Sequence, residues 1–164
     1  MSTAIYPGSF DPITCGHMDV IDKAQRAFHK VVICVGVNRK KTPTFTPQYR
    51  CDLIKELYPD CDVITWNGLI VEAAKHVGAA VIVRGFRALA DFEAEFQMAH
   101  INKRLAPDID TVMFPTSEET TFYSSSIAKE LAMVGAPLID IVPASVERAL
   151  RDTFGPVNIQ KMPR

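Results

Sequence analysis

The amino-acid sequence predicts one α/β domain built around an open, parallel, five-stranded sheet with helices on both faces. Two observations carry this prediction. Short apolar runs alternate with longer stretches of helical periodicity, and the first apolar run leads straight into a turn rich in glycine and proline. The domain is predicted to span residues 1–155, and residues 156–164, with two prolines and little periodicity, are predicted to form a loose tail.

Each strand is predicted from a short run of Val, Ile and other apolar residues, which is typical of parallel strands buried on both faces. These runs cover residues 3–6, 31–37, 62–65, 80–83 and 111–114. Apolar residues at helical spacing predict helices over residues 17–29, 47–57, 70–77, 89–105, from about 124, and 144–154. Right-handed crossovers between such elements give a Rossmann-like sheet.

Composition and charge narrow the classes of function. Hydrophobic residues make up 48% of the chain and charged residues 23%, so the chain can bury a core and lacks the composition of a disordered protein. The net charge of -1 gives no overall attraction to nucleic acid or to an anionic membrane. We therefore expect neither as a partner.

Cysteine usage indicates the compartment. Cys15, Cys34, Cys51 and Cys61 are widely spaced and form no Cys-x-x-Cys pair, which predicts free thiols in a reducing environment. The sequence enters a strand almost at once, without a basic and apolar leader, and its longest apolar runs are strand-sized. We expect a cytoplasmic location.

Residues 8–17 are the most informative segment, a turn containing Gly8, Asp11-Pro12 and Gly16 that ends in His17 at the start of a helix. Amides at a helix N-terminus point outward unpaired and carry the positive end of the helix dipole, so the turn predicts a phosphate site touched by His17. Gly16 is expected to let the phosphate approach the backbone closely. The ordinary alternative is a helix start with a solvated histidine.

Ligands of open α/β sheets bind beyond the carboxyl ends of the strands, which here selects residues 7–17, 38–45, 67–69, 84–87 and 115–126. These segments contain Arg39-Lys40-Lys41, Arg84-Gly85-Phe86-Arg87 after the fourth strand, and Ser124-Ser125-Ser126 at a helix start. Taken singly, they indicate a solvated loop, a turn with surface arginines and a helix N-cap. Their convergence on one edge of the sheet favours an anion site.

These motifs resemble those of the phosphopantetheine adenylyltransferases, a family of nucleotidyltransferases, over roughly residues 3–154. The resemblance rests on residues 6–14 with Gly16-His17, on residues 84–87 continuing through 90–93 to Glu95, and on residues 124–126 leading to Lys129-Glu130. Thr14, where many nucleotidyltransferases have His, and the Arg-Gly-x-Arg block favour this family. The departures are Ser9 for the common Thr, Cys15 for Asn, and Thr120-Thr121 for Trp-Ser.

The resemblance implies transfer of the adenylyl group of ATP to 4′-phosphopantetheine, giving dephospho-coenzyme A and pyrophosphate, with Mg²⁺ as the cofactor. The acceptor phosphate is already an anionic nucleophile, so the protein has mainly to align the groups and to stabilise developing charge. The resemblance also implies a homohexamer, a dimer of trimers. The chain itself offers one hint of association, its apolar segments near residues 133–142.

The same resemblance implies the site residues. His17 and Lys41 are the expected catalytic residues, the first donating to the α-phosphate and the second bridging the reacting phosphates. Phosphopantetheine is expected to contact Ser9, Lys41, Ile70 and Arg84. ATP is expected to contact a larger set: Ser9, Phe10, His17, Gly85, Phe86, Arg87, Glu95, Thr120, Thr121, Phe122, Tyr123, Ser124, Ser125 and Ser126. No residue is assigned as a metal ligand.

Some residues fit an ordinary role better than a sharper one. Trp66 and Phe122 could stack on adenine, but aromatic side chains beside a strand end more often serve packing. Glu93 and Glu95 do not make a magnesium pair, because residues two apart on a helix diverge by about 200°. Cys15 has no neighbouring base that would make it a nucleophile.

Two alternatives from other classes remain open at this point. One is a nucleotidyltransferase that uses nicotinamide mononucleotide or a phospho-sugar alcohol as acceptor. The other is a non-catalytic Rossmann-like module that senses ATP. The combination of His17, Lys41 and Arg84 disfavours the sensor, since ATP binding alone does not need a clamp for an acceptor phosphate.

Overall fold

The computed structural model describes residues 2–37 and 42–155. Its centre is a sheet of five parallel strands: β1 (Thr3–Gly8), β2 (Lys30–Gly36), β3 (Asp62–Trp66), β4 (Val81–Phe86) and β5 (Asp110–Pro115). The strand order is β3-β2-β1-β4-β5. The chain therefore builds outward from β1 to β3, returns to the other side of β1, and continues to β5. This is the predicted Rossmann-like sheet.

The helices of the described residues follow the strands in alternation: α1 (Cys15–Ala27), α2 (Pro47–Leu57), α3 (Ile70–His76), α4 (Leu89–Leu105), α5 (Ser125–Met133) and α6 (Ala144–Phe154). A short 3-10 turn, Glu118–Thr120, precedes α5. No helix in residues 2–37 and 42–155 is both long and apolar enough to cross a bilayer.

Two apolar cores cover the two faces of the sheet, as predicted. Alternate strand residues such as Ile33 and Val83 pack in the larger core with α1, α2, α5 and α6. Their neighbours Val32 and Ile82 pack on the other face with α3 and with Ala106, which follows α4. Because side chains alternate across a strand, burial on both faces requires the continuous apolar runs from which the strands were predicted.

The prediction was wrong about where two central strands end. Pro7 and Gly8 were expected to break the first strand, and residues 84–86 to form a turn, but β1 runs to Gly8 and β4 to Phe86. Pairing between β1 and β4 covers only Ala4 and Ile5 on the β1 side. The Pro7 carbonyl points to the β4 side, where it accepts a hydrogen bond from Arg84. Proline has no N–H to donate, and at Pro7 that position faces β4. The β1–β4 hydrogen bonds have already ended there, so the proline costs the sheet no hydrogen bond.

Gly85 allows α1 to lie close to the end of β4. A Cβ atom at Gly85 would lie 2.7 Å from Cγ2 of Val20, a residue of α1 that is 1% exposed. Valine is branched at Cβ and buried here, so a change of its χ1 rotamer to make room would cost free energy. Glycine at this position therefore sets the distance between the helix and the strand.

We expect Gly85→Ala to lower the free energy of unfolding by about 1–3 kcal/mol, the usual cost of overpacking a close-packed core. Urea denaturation followed by circular dichroism measures this change. Gly36→Ala is the matched control, because a Cβ there would meet nothing closer than the Gly8 carbonyl oxygen at 3.6 Å. Equal stability of the two variants would contradict the proposed contact.

Candidate active site

A cavity of about 400 Å³ opens where the strand order reverses, between the carboxyl ends of β1 and β4. This is the position at which open α/β sheets bind ligands. The last residue of β1 that pairs with β4 is Ile5, two residues before Pro7. The ends of the two strands are therefore not joined by the ladder, which leaves room between them. The lining comes from β1, the following turn, α1, β4, α4 and the start of α5: Tyr6, Pro7, Gly8, Ser9, Thr14, Gly16, His17, Val20, Arg84, Gly85, Arg87, Asp91, Ala94, Glu95, Thr116, Tyr123, Ser124, Ser125 and Ser126.

His17 is held in one tautomer by Thr14, the N-cap of α1. The Thr14 N–H donates to Nδ1 of His17 at 3.1 Å, and the His17 N–H donates back to the Thr14 hydroxyl at 3.4 Å. This is a capping box in which histidine takes the place usually held by Glu or Gln. Because a backbone N–H can only donate, Nδ1 must be the acceptor, and the proton of the neutral ring lies on Nε2.

The charge state of His17 follows from its surroundings. Burial, with smaller contributions from the charges of Arg87 and Arg84, lowers the pKa of His17 from 6.5 to about 4. The ring of Phe10 packs against it with centroids 5.1 Å apart. At neutral pH the side chain is therefore an uncharged donor that lines the cavity.

Phe10 supports the turn from within the core and does not line the cavity. Its side chain is 0% exposed, and a Cβ at Gly8 would lie 2.8 Å from its ring. Its φ of 47° lies in the left-handed region, which reverses the chain after Ser9. The ring thus explains why the preceding strand must end in glycine.

Gly16 has a different neighbour from the one expected. A Cβ at this position would meet the carbonyl oxygens of Tyr123 at 3.2 Å and Thr120 at 3.4 Å. The glycine therefore permits the segment before α5 to pack onto the start of α1. It also lines the cavity, so the expected close approach of a phosphate stays a prediction.

The three serines at the start of α5 differ in what they can offer. Ser124 is the N-cap, and its hydroxyl oxygen accepts from the Ile127 N–H at 3.2 Å. The Ser125 hydroxyl donates to the Pro12 carbonyl at 2.8 Å, so its single hydrogen is already used. The Ser126 hydroxyl has no partner among the described residues. Free donors toward the cavity are therefore the hydroxyls of Ser124 and Ser126 and the first amides of the helix.

Arg84 is fixed by three hydrogen bonds. Its Nε and Nη2 bind the two carboxylate oxygens of Glu95 on α4, with Nε at 2.6 Å, and its Nη1 donates to the Pro7 carbonyl at 2.8 Å. A guanidinium has five N–H groups, so one hydrogen remains on each of Nη1 and Nη2. Arg84 thereby spans the gap between β1 and β4 and keeps two donors.

Arg87, just beyond β4, is oriented in a similar way by α4. Its Nε donates to Asp91 Oδ2 at 2.8 Å, one turn along the chain. Both cavity arginines are thus paired with a carboxylate of α4. Each pair pre-orients a cation, because the planar guanidinium matches the carboxylate in a fixed geometry.

The structure brings many of the predicted residues together. Those that line the cavity are Ser9, His17, Arg84, Gly85, Arg87, Glu95, Tyr123, Ser124, Ser125 and Ser126. Those that lie outside its lining are Phe10, Ile70, Phe86, Thr120, Thr121 and Phe122. Lys41 falls outside the described residues. The roles assigned to all of these residues stay predictions.

Two of the residues outside the lining have other neighbours. Phe86 packs edge-on against Phe92 of α4, with ring centroids 5.3 Å apart. Ile70 begins α3 and packs against the second core. The Phe122 side chain is 77% exposed, so it does not serve as packing in this chain, contrary to expectation.

Sequence reasoning missed two cavity residues that carried a signal. Thr14 stands three residues before His17, the spacing of a capping box. Asp91 stands four residues after Arg87, the spacing of a helical ion pair. Arg50 and Asp11, which hold the turn after β1 in place, carried none, because these partners are 34 to 118 residues distant in the sequence.

The cavity offers Mg²⁺ few free protein ligands. The two cavity carboxylates, Glu95 and Asp91, are each bound to an arginine, and no group of three His, Cys, Asp or Glu side chains in the described part of the chain could hold a metal. Mg²⁺ usually keeps several waters and binds through substrate phosphates, without a cage of protein ligands. A Mg²⁺ ion here would therefore have to be held by substrate phosphates and water.

The Cytidylyltransferase-like family model matches residues 5–131, and this match together with the five-stranded parallel sheet identifies the chain as an α/β nucleotidyltransferase. The chain is 49% identical over 154 residues to the phosphopantetheine adenylyltransferase of Synechococcus sp. (strain JA-2-3B'a(2-13)), covering 92% of this chain and 97% of that protein. It is 46% identical over 158 residues to the one from Desulforudis audaxviator (strain MP104C), covering 94% and 97%. The chain belongs to the phosphopantetheine adenylyltransferase family.

A solved structure gives independent support for the fold alone. The crystal structure of the lipopolysaccharide core biosynthesis protein from Thermoplasma volcanium GSS1 superposes with a TM-score of 0.55 at 22% identity. The match covers 71% of this chain and 97% of that one. The family resemblance drawn from the sequence motifs is confirmed by the relatives above.

We expect His17 to remain neutral, with its proton on Nε2, from pH 7.5 down to about pH 5. Nitrogen chemical shifts in a ¹⁵N-histidine sample measure this, and the urea-denatured chain, where histidine titrates near a pKa of about 6.5, is the control. Since the folded pKa is the lower one, the associated stability is present above about pH 6.5 and is lost as pH falls towards about 4. A folded His17 that titrates near pH 6.5 would contradict the assignment.

Proposed function

We propose that this protein transfers the adenylyl group of ATP to the phosphate of 4′-phosphopantetheine, releasing pyrophosphate and forming dephospho-coenzyme A. Membership of the phosphopantetheine adenylyltransferase family supports the reaction. The observation that carries the mechanism is a neutral histidine and a pre-oriented arginine lining one cavity at the strand-order reversal. This step belongs to coenzyme A biosynthesis.

The chemistry needs no base from the protein. An oxygen of the acceptor phosphate attacks the α-phosphorus of ATP, a new P–O bond forms on one side, and the bond to the β-phosphate oxygen breaks on the other. The electron pair of the broken bond leaves with pyrophosphate. Phosphoryl-type transfers of this kind are accelerated mainly by alignment and by stabilisation of developing charge.

His17 stabilises charge on the α-phosphoryl oxygens as the transition state forms. Its Nε2–H is the donor, and its orientation is fixed beforehand by Thr14, so little reorganisation accompanies the reaction. A neutral ring suits this role because the site already contains Arg84 and Arg87. A preorganised neutral donor contributes to catalysis without needing to lose its proton.

Arg84 binds the acceptor phosphate with the two hydrogens that Glu95 and Pro7 leave free. Charge-assisted hydrogen bonds from a guanidinium to a phosphate are among the stronger polar interactions. The bond to the Pro7 carbonyl places this cation beside the turn that carries Ser9. Ser9, which lines the cavity, supplies a hydroxyl on the same side.

The triphosphate of ATP binds on the other side of the cavity, at the start of α5. The hydroxyls of Ser124 and Ser126 and the first amides of α5 donate to the β- and γ-phosphates, as expected of a helix N-terminus. Ser125 contributes its amide, since its hydroxyl hydrogen is bound to Pro12. Arg87 supplies a further cation.

Lys41 and Mg²⁺ complete the proposed site. Lys41 bridges the reacting phosphates, a role supported by its match to the family motif alone. Mg²⁺ bound to ATP phosphates and water would neutralise charge on the leaving pyrophosphate. Glu95 and Asp91 are paired with arginines, so they would contact that ion only through water molecules.

Pyrophosphate release measured over a panel of acceptors tests the reaction. We expect release with ATP and phosphopantetheine, and none with nicotinamide mononucleotide or a phospho-sugar alcohol. In His17→Ala the rate should fall about a hundred- to thousandfold, the usual cost of removing one preorganised donor. Retention of ATP without any acceptor-dependent release would indicate a sensor, and a rate of His17→Ala within threefold of wild type would contradict the role of His17.

The two cavity arginines should give opposite defects. We expect Arg84→Ala to raise the KM for phosphopantetheine about ten- to a hundredfold, as loss of a charged hydrogen-bond partner does. Arg87→Ala is the matched variant and should weaken ATP binding instead. Initial rates against phosphopantetheine and calorimetry with ATP measure the two effects. An Arg84→Ala protein with normal acceptor kinetics and lost ATP binding would reverse the assignment.

We also propose a homohexameric, cytoplasmic enzyme. Large apolar side chains are exposed along α4 and near the end of α5: Leu89, Phe92, Phe96, Met98, Ile101, Leu105, Met133, Val134 and Ile139. Closed symmetric association is the usual way to cover such repeated surfaces. The free thiols of the four cysteines agree with a reducing compartment. Light scattering at micromolar concentration should give one species of six chains, and a monomer would contradict this proposal.

A further inference from the structure

We propose that Arg50 is a positioning residue for the acceptor side of the site, because its buried guanidinium holds the backbone carbonyl of Ser9. This inference rests on the proposed function, in which Ser9 contacts the acceptor phosphate. Arg50 belongs to α2 and does not line the cavity. It therefore acts on the substrate only through the segment that it holds.

The contacts of Arg50 join segments that end at the cavity. Its Nη1 donates to the Ser9 carbonyl at 2.6 Å, the shortest of its hydrogen bonds. The same nitrogen lies 3.4 Å from the Gly36 carbonyl at the end of β2, and Nε lies 3.4 Å from the Thr46 carbonyl at the N-cap of α2. One planar group thus connects the turn after β1 with both flanks of the segment that follows β2.

The charge of Arg50 makes this arrangement unusual. Its side chain belongs to a residue only 3% exposed, and no carboxylate in the described part of the chain lies within 4 Å of its guanidinium. Buried arginines are normally paired with an acid, since an uncompensated buried charge is costly. Here carbonyl oxygens take that place, so a full positive charge remains beneath Ser9. That charge favours an anion above the turn.

The rest of the turn is held without Arg50. The Asp11 carboxylate accepts from the N–H groups of Thr44 and Phe45, both at 2.9 Å, and pairs with Lys129 of α5 at 3.3 Å. The Ser125 hydroxyl holds the Pro12 carbonyl. Loss of Arg50 should therefore release Ser9 while the neighbouring residues stay in place.

A double-mutant cycle between Arg50 and Ser9 tests this role. Arg50→Met keeps the length and apolar stem of the side chain and removes the donors. We expect it to lower kcat/KM for phosphopantetheine at saturating ATP about tenfold or more, and to change the calorimetric Kd for ATP by a smaller factor, since Ser9 is expected to contact both substrates. Lys55→Met, which removes an exposed cation from the same helix, is the matched control and should behave as wild type.

The decisive result is the coupling between the two sites. If Arg50 acts through Ser9, the double variant Ser9→Ala/Arg50→Met should be no more than about threefold worse than the poorer single variant, because coupled residues are not additive. Two results would overturn the proposal: a double variant whose loss of kcat/KM equals the product of the two single losses, or a folded Arg50→Met protein with wild-type kinetics. If Arg50 served stability alone, its loss would lower the melting temperature but would show no coupling to Ser9.

The experiment also covers a variant that fails to fold and a wild-type protein that shows no turnover. If Arg50→Met does not fold by circular dichroism, the same cycle is run with Arg50→Lys, which keeps the charge but loses the planar fork and should show the same coupling with a smaller defect. If the wild-type protein releases no pyrophosphate with phosphopantetheine, the proposed function fails, and the inference falls with it. Wild-type turnover with additive variants refutes the inference alone.

Discussion

The hydrogen bond from Arg84 to the Pro7 carbonyl is the contact on which the site depends. It joins β1 to β4 at the level where their ladder has already ended, so the two strand ends stay connected while a crevice remains between them. Proline supplies a carbonyl there and has no N–H that would require a partner on the same side. Glu95 fixes the other edge of the guanidinium, and the crevice thereby has a cation on its wall before any substrate binds.

The remaining parts of the site are likewise set in advance by contacts outside the cavity. Thr14 fixes the tautomer of His17, and burial keeps the ring neutral. The turn between β1 and α1 is bound by Arg50 from α2 and by Ser125 from α5. Such preorganisation suits a phosphoryl-type transfer, because the acceptor phosphate is already an anionic nucleophile and needs no base from the protein.

The sequence was sufficient for the fold and for the position of the cavity that many of the predicted site residues line, because both follow from local patterns. Continuous apolar runs identify strands buried on both faces, and the strand ends identify the ligand edge. It failed where tertiary contacts override local preference: Pro7 and Arg84 lie inside strands, and the Ser125 hydroxyl is bound to Pro12. Arg50 was missed because a buried arginine held by distant carbonyl oxygens leaves no periodic trace. Such partners become visible only when the chain is folded.

A crystal structure with dephospho-coenzyme A, the proposed product, is the most direct test of where the reaction takes place. We expect its diphosphate in the crevice between β1 and β4, with oxygens about 2.7–3.2 Å from Nε2 of His17 and from the free donors of Arg84, the range of ordinary hydrogen bonds. The Arg84 bond to Pro7 should persist. A diphosphate bound outside this crevice, with His17 and Arg84 untouched, would contradict the assignment of the site.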